Sequence, residues 1–259
     1  MLNQNLHTDA LVEMWNRYID WPARRKGENG FLENTLRQNN CKTIFNAALG
    51  DGCDTIHLLK NGFDVTNNEI DLLFMRKALE NAALKNVSLN ITQYDWCSDL
   101  SRHFGEGKFD AVLCVGNSLT YIFRKKDRMK TLEGFYKILR PGGILLIDER
   151  NYQYILDNRN EILRGNFRYS GKYVYCGKTV KHIPIKITNR LVRMKYEDMQ
   201  TGKTAFLDLL PFKEGQMKAE IQKASFCDIK QFSDYKEGFD KNADFFQYVA
   251  RKPHFEEMQ

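Results

Sequence analysis

The chain has 259 residues, 42% hydrophobic and 28% charged, a balance that excludes a disordered segment and suits one large α/β domain or one domain with an inserted lid. No apolar run approaches the roughly 18 residues needed to cross a bilayer, and the opening MLNQNLHTDALVEMWNRYID has neither the basic start nor the apolar core of a secretory signal. Net charge is +6, but the basic residues are dispersed, and the densest cluster, Arg124-Lys125-Lys126-Asp127-Arg128, includes an acid and reads as a solvated helix start. Neither a nucleic-acid nor a membrane partner is therefore expected.

The six cysteines (Cys41, Cys53, Cys97, Cys114, Cys176 and Cys227) are scattered, with no C-x-x-C and no histidine-paired metal spacing. Reduced thiols, no bound metal and a cytoplasmic location are the expectation.

Residues 8–19 place Ala10, Leu11, Met14, Trp15 and Tyr18 at helical spacing, with Thr8 as a cap and Trp21-Pro22 closing the helix. A second helix is expected over about 30–39. Alternation then begins. Thr43–Ala48 reads as a buried strand that breaks at Leu49-Gly50-Asp51-Gly52 into a helix over Asp54–Lys60. Phe63–Asn67 is a short strand, Leu72–Leu84 a helix, and Val87–Tyr94 a strand. Phe109–Val115 is a strongly apolar strand, Met129–Leu139 a helix, and Gly143–Asp148 a buried strand after the Arg140-Pro141-Gly142-Gly143 turn. Five strands separated by helices predict an α/β fold with an open, mostly parallel, doubly wound sheet. Beyond Asp148, Lys172–Val180, Lys186–Glu197 and Thr204–Leu210 read as strands, with a hairpin turn at Thr201-Gly202-Lys203. Gln216–Ser225 is helical, and Asp228–Tyr235 and Phe245–Ala250 are strand-like. The expectation is one domain over 1–259, with 1–40 a helical cap, 165–211 an antiparallel lid, and 212–251 closing the main sheet.

In such a sheet ligands sit beyond the C-terminal ends of the strands, where the strand order reverses. The first strand end supplies the glycine turn, which is either a ligand cradle or an ordinary tight βα turn. The second supplies Glu69, able to accept two ribose hydroxyls or to cap the helix after it, a role Asp71 could fill instead. The third supplies Asp95, able to accept from an adenine amino group, and Trp96, able to cover the ring or to lie half-buried at the surface. The fourth supplies Gly116-Asn117-Ser118. The fifth supplies Arg150, able to grip a carboxylate with two hydrogen bonds or to form a surface ion pair. Together these describe a nucleoside-shaped site beside an anion-binding arginine. A hydride-transfer enzyme is one candidate, but the turn is A-x-G-x-G rather than G-x-G-x-x-G, and no second glycine-rich turn serves a pyrophosphate.

With LRQNNCKTIFNAALGDGCDT, LLKNGFDVT, FDAVLCVGNS, LRPGGILLIDERNYQYIL, YVYCG, DFFQYVARK and the opening WNRYIDWPAR, the chain resembles class I S-adenosylmethionine-dependent methyltransferases. More narrowly, it resembles glycine N-methyltransferase and the microbial glycine/sarcosine N-methyltransferases. The likeness runs from about Trp15 to Lys252. The GNS and RNYxYIL stretches are particular to that group, and the glycine turn and LRPGG are general among methyltransferases. The resemblance implies that Ala48, Gly50 and Gly52 line the methionine end of the cofactor, that Arg24 pairs with its carboxylate with Trp15 nearby, and that Glu69 takes the ribose. It implies that Asp95 and Trp96 hold the adenine, that Val115 and Asn117 form the floor, and that Asn117 also reaches the substrate. It further implies that Arg150 clamps the amino acid's carboxylate and that Tyr18, Tyr175 and Tyr196 supply hydroxyls around the amine and methyl. An alternative for Tyr175 and Tyr196 is packing as strand aromatics. The chain departs from the group at Asn46 and Asp51, where relatives carry Asp and Thr; at Glu69, where they carry Asp; and at Tyr121, where they carry His.

The implied activity is methyl transfer from S-adenosylmethionine to the amine of glycine or sarcosine by in-line attack, with no metal. The departures leave open another small-molecule acceptor, or a cofactor-binding protein with little activity. Homo-oligomerisation is compatible with the resemblance. No histidine falls among the implied site positions, so no strong general base is assigned.

Overall fold

A computed structural model of the chain describes residues 8–167 and 178–254. Its helices are α1 (Asp9–Tyr18), α2 (Trp21–Glu28), α3 (Phe31–Gln38), α4 (Cys53–Lys60), α5 (Leu72–Ala83), α6 (Leu100–Phe104), α7 (Lys125–Ile138), α8 (Tyr152–Asp157), α9 (Arg159–Leu163) and α10 (Gln216–Lys223). Its strands are β1 (Thr43–Asn46), β2 (Asp64–Asn68), β3 (Asn90–Thr92), β4 (Phe109–Cys114), β5 (Leu139–Arg150), β6 (Val180–Thr188), β7 (Leu191–Asp198), β8 (Thr204–Leu209), β9 (Cys227–Ser233), β10 (Lys236–Glu237) and β11 (Phe245–Arg251). Ser118–Tyr121 forms a single 3₁₀ turn.

The main sheet has the order β10-β9-β11-β5-β4-β1-β2-β3. Strands β1 to β5 pair in parallel, and β11 runs antiparallel between β5 and β9. This is the expected open, mostly parallel, doubly wound sheet. The strand order reverses between β1 and β4, which fixes where a ligand crevice forms.

Side chains alternate faces along each strand. On β4, Val112 and Cys114 join one core with Leu100 of α6, Leu132 and Phe135 of α7, and Met217 and Ile221 of α10. Ala111 and Leu113 of the same strand join the opposite core with Leu32 and Leu36 of α3 and Leu58 of α4. Both faces are therefore buried, which is why β4 reads as a continuous apolar run.

A second, three-stranded antiparallel sheet has the order β6-β7-β8. Its inner face packs with α1 and α8 in a third core holding Leu11, Met14, Ile155, Leu156, Val192 and Met194. Of the N-terminal helices, α1 thus belongs to this cap, whereas α3 covers the main sheet.

The structure corrects three local readings and describes a fourth only in part. Trp21-Pro22 opens a helix rather than closing one: Asp20 accepts from the backbone N–H of Ala23 at 3.0 Å, and proline suits the first helical turn, where its missing N–H costs nothing. Lys186–Glu197 is not one strand. Thr188 Oγ1 accepts from the N–H groups of Arg190 and Leu191 and turns the chain into a hairpin between β6 and β7. The strand read over Lys172–Val180 starts at Val180 as β6, and residues 172–177 of that reading lie outside the described residues. The short helices α2, α6, α8 and α9 escaped the periodicity reading because five to eight residues carry too few repeats.

One buried ion pair ties the crossover after β4 to the C-terminal part of the fold. Arg128 of α7 makes two 2.8 Å bonds to Glu220 of α10, and its third nitrogen donates to the carbonyls of Ile122 and Phe123. Removing one partner strands a buried charge, so Glu220→Ala is expected to lower stability by about 3–5 kcal/mol in urea unfolding. The double variant Arg128→Met/Glu220→Leu is expected to recover most of that loss. Equal losses in the two proteins would refute the stranded-charge account.

Candidate active site

The crevice at the strand reversal is built from strand ends. After β1 the chain turns through Ala47, Ala48, Leu49, Gly50, Asp51 and Gly52 into α4. Gly50 has φ +56°, and a Cβ there would meet nothing within 4 Å, so its backbone faces open space. Gly52 has φ +79°, and a Cβ would come within 3.0 Å of Ala78 Cβ, so this glycine lets α4 begin against α5.

Glu69, just beyond β2, fastens the turn. One carboxylate oxygen accepts from the N–H of Gly50 and the other from the N–H of Asp71, each at 2.9 Å. Asp71 takes the cap of α5, accepting from Leu73 and Phe74, which leaves Glu69 free of that duty. Trp96 donates its indole N–H to the carbonyl of Ala47 at 2.9 Å, holding its ring beside the turn. Asp51 accepts from the indole of Trp21 at 3.0 Å, and burial raises its carboxyl above the ordinary aspartate range.

These residues line a cavity of about 310 Å³, with Ala48, Gly50, Glu69, Tyr94, Trp96 and Val115 on its walls. A smaller pocket of about 80 Å³ adjoins it, lined among others by Tyr18, Asn117, Arg150, Tyr196, Tyr235 and Phe245. Trp15, Ile19, Arg24, Gly116 and Tyr121 line both, so the two spaces are contiguous. One offers acids and aromatics for a nucleoside-sized ligand, and the other offers a cation and hydroxyls for a small polar one.

Asn117 is the clasp between them. It sits at φ +63°, a left-handed conformation asparagine tolerates. Its Oδ1 accepts from the N–H of Arg150 at 3.1 Å, and its Nδ2 donates to Tyr152 Oη at 2.7 Å. The N–H groups of Gly116 and Asn117 donate to Asp148 at 3.1 and 2.6 Å. Arg150 is 5% exposed, and its guanidinium lies 4.8 Å from the Phe245 ring centroid.

Trp15, Tyr18 and Tyr196 form an aromatic wall with ring centroids 5.1 to 6.2 Å apart. Behind it stands His182, whose Nε2 is 3.5 Å from Tyr18 Oη. Burial, and then the nearby Arg150, hold the His182 imidazole well below its ordinary pKa and therefore neutral. Arg24 is held by Glu28 at 2.6 Å and Asp54 at 3.6 Å while facing both spaces.

Of the sequence-derived positions, Trp15, Arg24, Ala48, Gly50, Glu69, Trp96 and Val115 line the larger cavity, and Tyr18, Asn117, Arg150 and Tyr196 the smaller pocket. Gly52 and Asp95 are not among the lining residues: Gly52 packs on Ala78, and Asp95 accepts from the N–H of Cys97 at 2.8 Å. Tyr175 lies outside the described residues. Asn46 sits behind the turn, donating to Thr55, which in turn donates to Asn67. Sequence reasoning missed Trp21, Asp148, His182, Tyr235 and Phe245. Phe245 and Asp148 were legible as strand ends; the other three depend on packing between distant segments.

A family profile described as a methyltransferase domain matches residues 44–143, from β1 into β5. The glycine/sarcosine N-methyltransferase of Aphanothece halophytica is 35% identical over 96% of this chain and 91% of its own length. That of Halorhodospira halochloris is 36% identical over 97% of this chain and 90% of its own length. The chain belongs to the glycine/sarcosine N-methyltransferase family of S-adenosylmethionine-dependent enzymes. The methyltransferase also shares its fold with an S-adenosylmethionine-dependent methyltransferase from Clostridium acetobutylicum ATCC 824. That structure superposes with a TM-score of 0.69 at 17% identity, covering 88% of this chain and 92% of the other. Among the methyltransferase's described residues no helix is long and apolar enough to cross a membrane, and no group of three or more His, Cys, Asp or Glu is arranged to hold a metal ion.

The end of β5 also carries a pH-sensitive group. Glu149 is 3% exposed, and its Oε1 accepts from Tyr248 Oη at 2.8 Å. Burial pushes its pKa from 4.5 up to about 8. The folded methyltransferase therefore keeps this proton up to about pH 8, whereas the unfolded chain releases it near 4.5, so stability falls as pH rises through that window. The slope from one such group is at most about 1.4 kcal/mol per pH unit. Glu149→Gln removes it. The stability of the variant relative to wild type is expected to climb between pH 5.5 and 8 in urea unfolding, and a constant difference would contradict the assignment.

Proposed function

We propose that this methyltransferase transfers the methyl group of S-adenosylmethionine to the amine of a small amino acid, glycine or sarcosine. The observation that carries the reading is Arg150, a buried guanidinium at the end of β5 facing a pocket of about 80 Å³ that opens into the larger cavity. A space this small suits an acceptor of few heavy atoms. The full-length likeness to two glycine/sarcosine N-methyltransferases supports the same substrate class.

The larger cavity fits the cofactor. The open space before Gly50 admits the methionine portion, the Glu69 carboxylate suits ribose hydroxyls, and the Trp96 ring offers a stacking face for adenine. Arg24 lies where a carboxylate can add to its pairing with Glu28 and Asp54. When bound, S-adenosylmethionine supplies an electrophilic methyl group on a sulfonium.

The chain's own residues supply position and protonation state. Arg150 grips the acceptor carboxylate, and Asn117 fixes the backbone of Arg150, so the amine is held at a set distance from the shared boundary of the two spaces. Orientation of this kind is worth up to about 7–11 kcal/mol. The positive guanidinium and the apolar faces of Trp15 and Phe245 disfavour an ammonium in the pocket, which promotes the neutral amine needed for attack. The hydroxyls of Tyr18 and Tyr196 can accept from the amine and turn its lone pair toward the methyl group. Solvent takes the released proton, since His182 stands behind Tyr18 rather than on the pocket wall.

Two measurements test this reading. Glu69→Ala removes a charge-assisted contact worth about 1.5–3 kcal/mol and loosens the Gly50 turn, so calorimetry is expected to show a 10- to 100-fold weaker affinity for S-adenosylhomocysteine. Arg150→Ala is expected to cut kcat/KM for glycine by about 10²–10⁴-fold, two charge-assisted hydrogen bonds' worth, while leaving S-adenosylhomocysteine affinity within about threefold. Undiminished turnover in Arg150→Ala, or no turnover of any small amino acid by the wild type, would end the proposal.

A further inference from the structure

The hairpin joining β9 to β10 turns through two residues, Asp234 and Tyr235, with Ser233 paired to Lys236 across it. Both have positive φ, 47° and 68°. This is the pattern of a type I′ turn, whose second central position ordinarily falls to glycine. Aspartate tolerates the left-handed region, but a bulky aromatic there is an outlier held in place by its surroundings.

The surroundings are explicit. The N–H of Tyr235 donates to Gln247 Oε1 at 2.8 Å, and the N–H of Asp234 donates to the carbonyl of Phe245 at 2.9 Å. The Asp234 carboxylate accepts from the N–H groups of Asp244 and Phe245 at 3.0–3.1 Å. The turn is thereby pinned to the start of β11, which carries Phe245 under Arg150.

This strained backbone places one ring between two hollows. On one side Tyr235 lines the small pocket with Arg24, Asp148, Arg150 and Phe245. On the other it lines an outer groove of about 810 Å³ running between α3 and β9, with Glu28, Phe31 and Phe232. The phenol donates to Glu28 Oε1 at 3.4 Å, and the ring packs against Phe31 at 5.4 Å. Tyr235 lines both the groove and the small pocket, and Glu28, which accepts from its phenol, lines the groove.

We propose that Tyr235 sets the upper size of the methyl acceptor. It is the back wall that separates the small pocket from the outer groove and excludes amino acids with longer side chains or N-alkyl groups. This rests on the small pocket being the acceptor site. A glycine at this position would satisfy the turn, whereas the tyrosine tolerates an unfavourable backbone, and the ring's role as a partition accounts for its presence there.

Tyr235→Gly suits the turn and opens the wall, and Tyr235→Asn is a second variant that also accepts positive φ. Each is titrated by calorimetry, loaded with S-adenosylhomocysteine, against glycine, sarcosine, N-ethyl- and N-butylglycine, alanine and norleucine, with methylation of the same amines followed in parallel. The expected result is a shift of at least tenfold in the ratio of large-acceptor to glycine affinity in both variants, with S-adenosylhomocysteine affinity within about twofold of wild type. If the wild type methylates glycine or sarcosine and both variants keep its size profile, Tyr235 is a packing residue and this inference alone fails. If the wild type neither binds nor methylates any of these amines, the acceptor reading fails and takes the inference with it.

Discussion

The geometry of the site depends on one clasp at the strand reversal. Parallel β4 and β5 end side by side, but their ends carry different duties: Val115 and Gly116 face the larger cavity, and Arg150 faces the smaller pocket. Asp148 and Asn117 lock these ends in register. The carboxylate of Asp148 takes two backbone N–H groups from the β4 turn, while the Asn117 amide returns a bond to the backbone of Arg150 and another to Tyr152. Four hydrogen bonds run between the same two segments in both directions. A displacement of one end therefore moves the other, and the distance between the two spaces is held by the scaffold rather than by a loop.

Such a clasp carries an electrostatic cost. Asp148 is buried, and its pKa is pushed up to about 6 by desolvation, against the pull of the two N–H groups and of Arg24. Glu149 beside it is raised further by its burial and by the charges of Asp148 and Glu220, against the pull of the Tyr248 phenol. The positive side of the ledger sits across the cavity. Arg24 and Arg25 are both tied to Glu28 and Asp54, so this cluster is neutral as a whole, and its guanidinium of Arg24 is already oriented before any ligand arrives. Orientation in advance reduces the entropy lost when an anion binds there.

Much of this was legible from sequence because parallel strands announce themselves. A strand buried on both faces is an apolar run, as in FDAVLC and GILLID, and the residues just after each run are forced to the crevice by topology alone. Glu69, Trp96, Asn117 and Arg150 were found that way, without any knowledge of their partners. What was hidden falls into two physical kinds. Proline at Trp21-Pro22 and the polar pair Asn189-Arg190 are ambiguous local signals whose outcome is decided by a single side-chain hydrogen bond, from Asp20 in one case and Thr188 in the other. His182, Tyr235 and Trp21 owe their positions to contacts between segments 30 to about 200 residues apart, such as Trp21 with Asp51, Tyr18 with His182, and Tyr235 with Glu28. No periodicity encodes these. The close approach of Gly52 to Ala78, which lets α4 begin against α5, is likewise a contact between segments that no local pattern encodes.

The two spaces also rest on different cores. The larger cavity is walled mainly by ends of the main sheet, closed by Trp15, Ile19 and Trp21 from α1, its exit and α2. The smaller pocket takes Tyr18 from α1 and Tyr196 and Leu209 from the second sheet, and these meet only because α1, α8 and that sheet share the third core. Loosening the third core would therefore scatter the hydroxyls lining the smaller pocket while the main-sheet walls of the larger cavity persist. A fold arranged this way separates the larger cavity, built from the ends of the main sheet, from the smaller pocket, built by the docking of the second sheet. Among the described residues, Trp15, Ile19, Arg24, Gly116 and Tyr121 belong to both spaces. Substitutions at Tyr235 or on the second sheet can then reshape the smaller pocket without disturbing the Gly50–Glu69 fastening of the larger cavity.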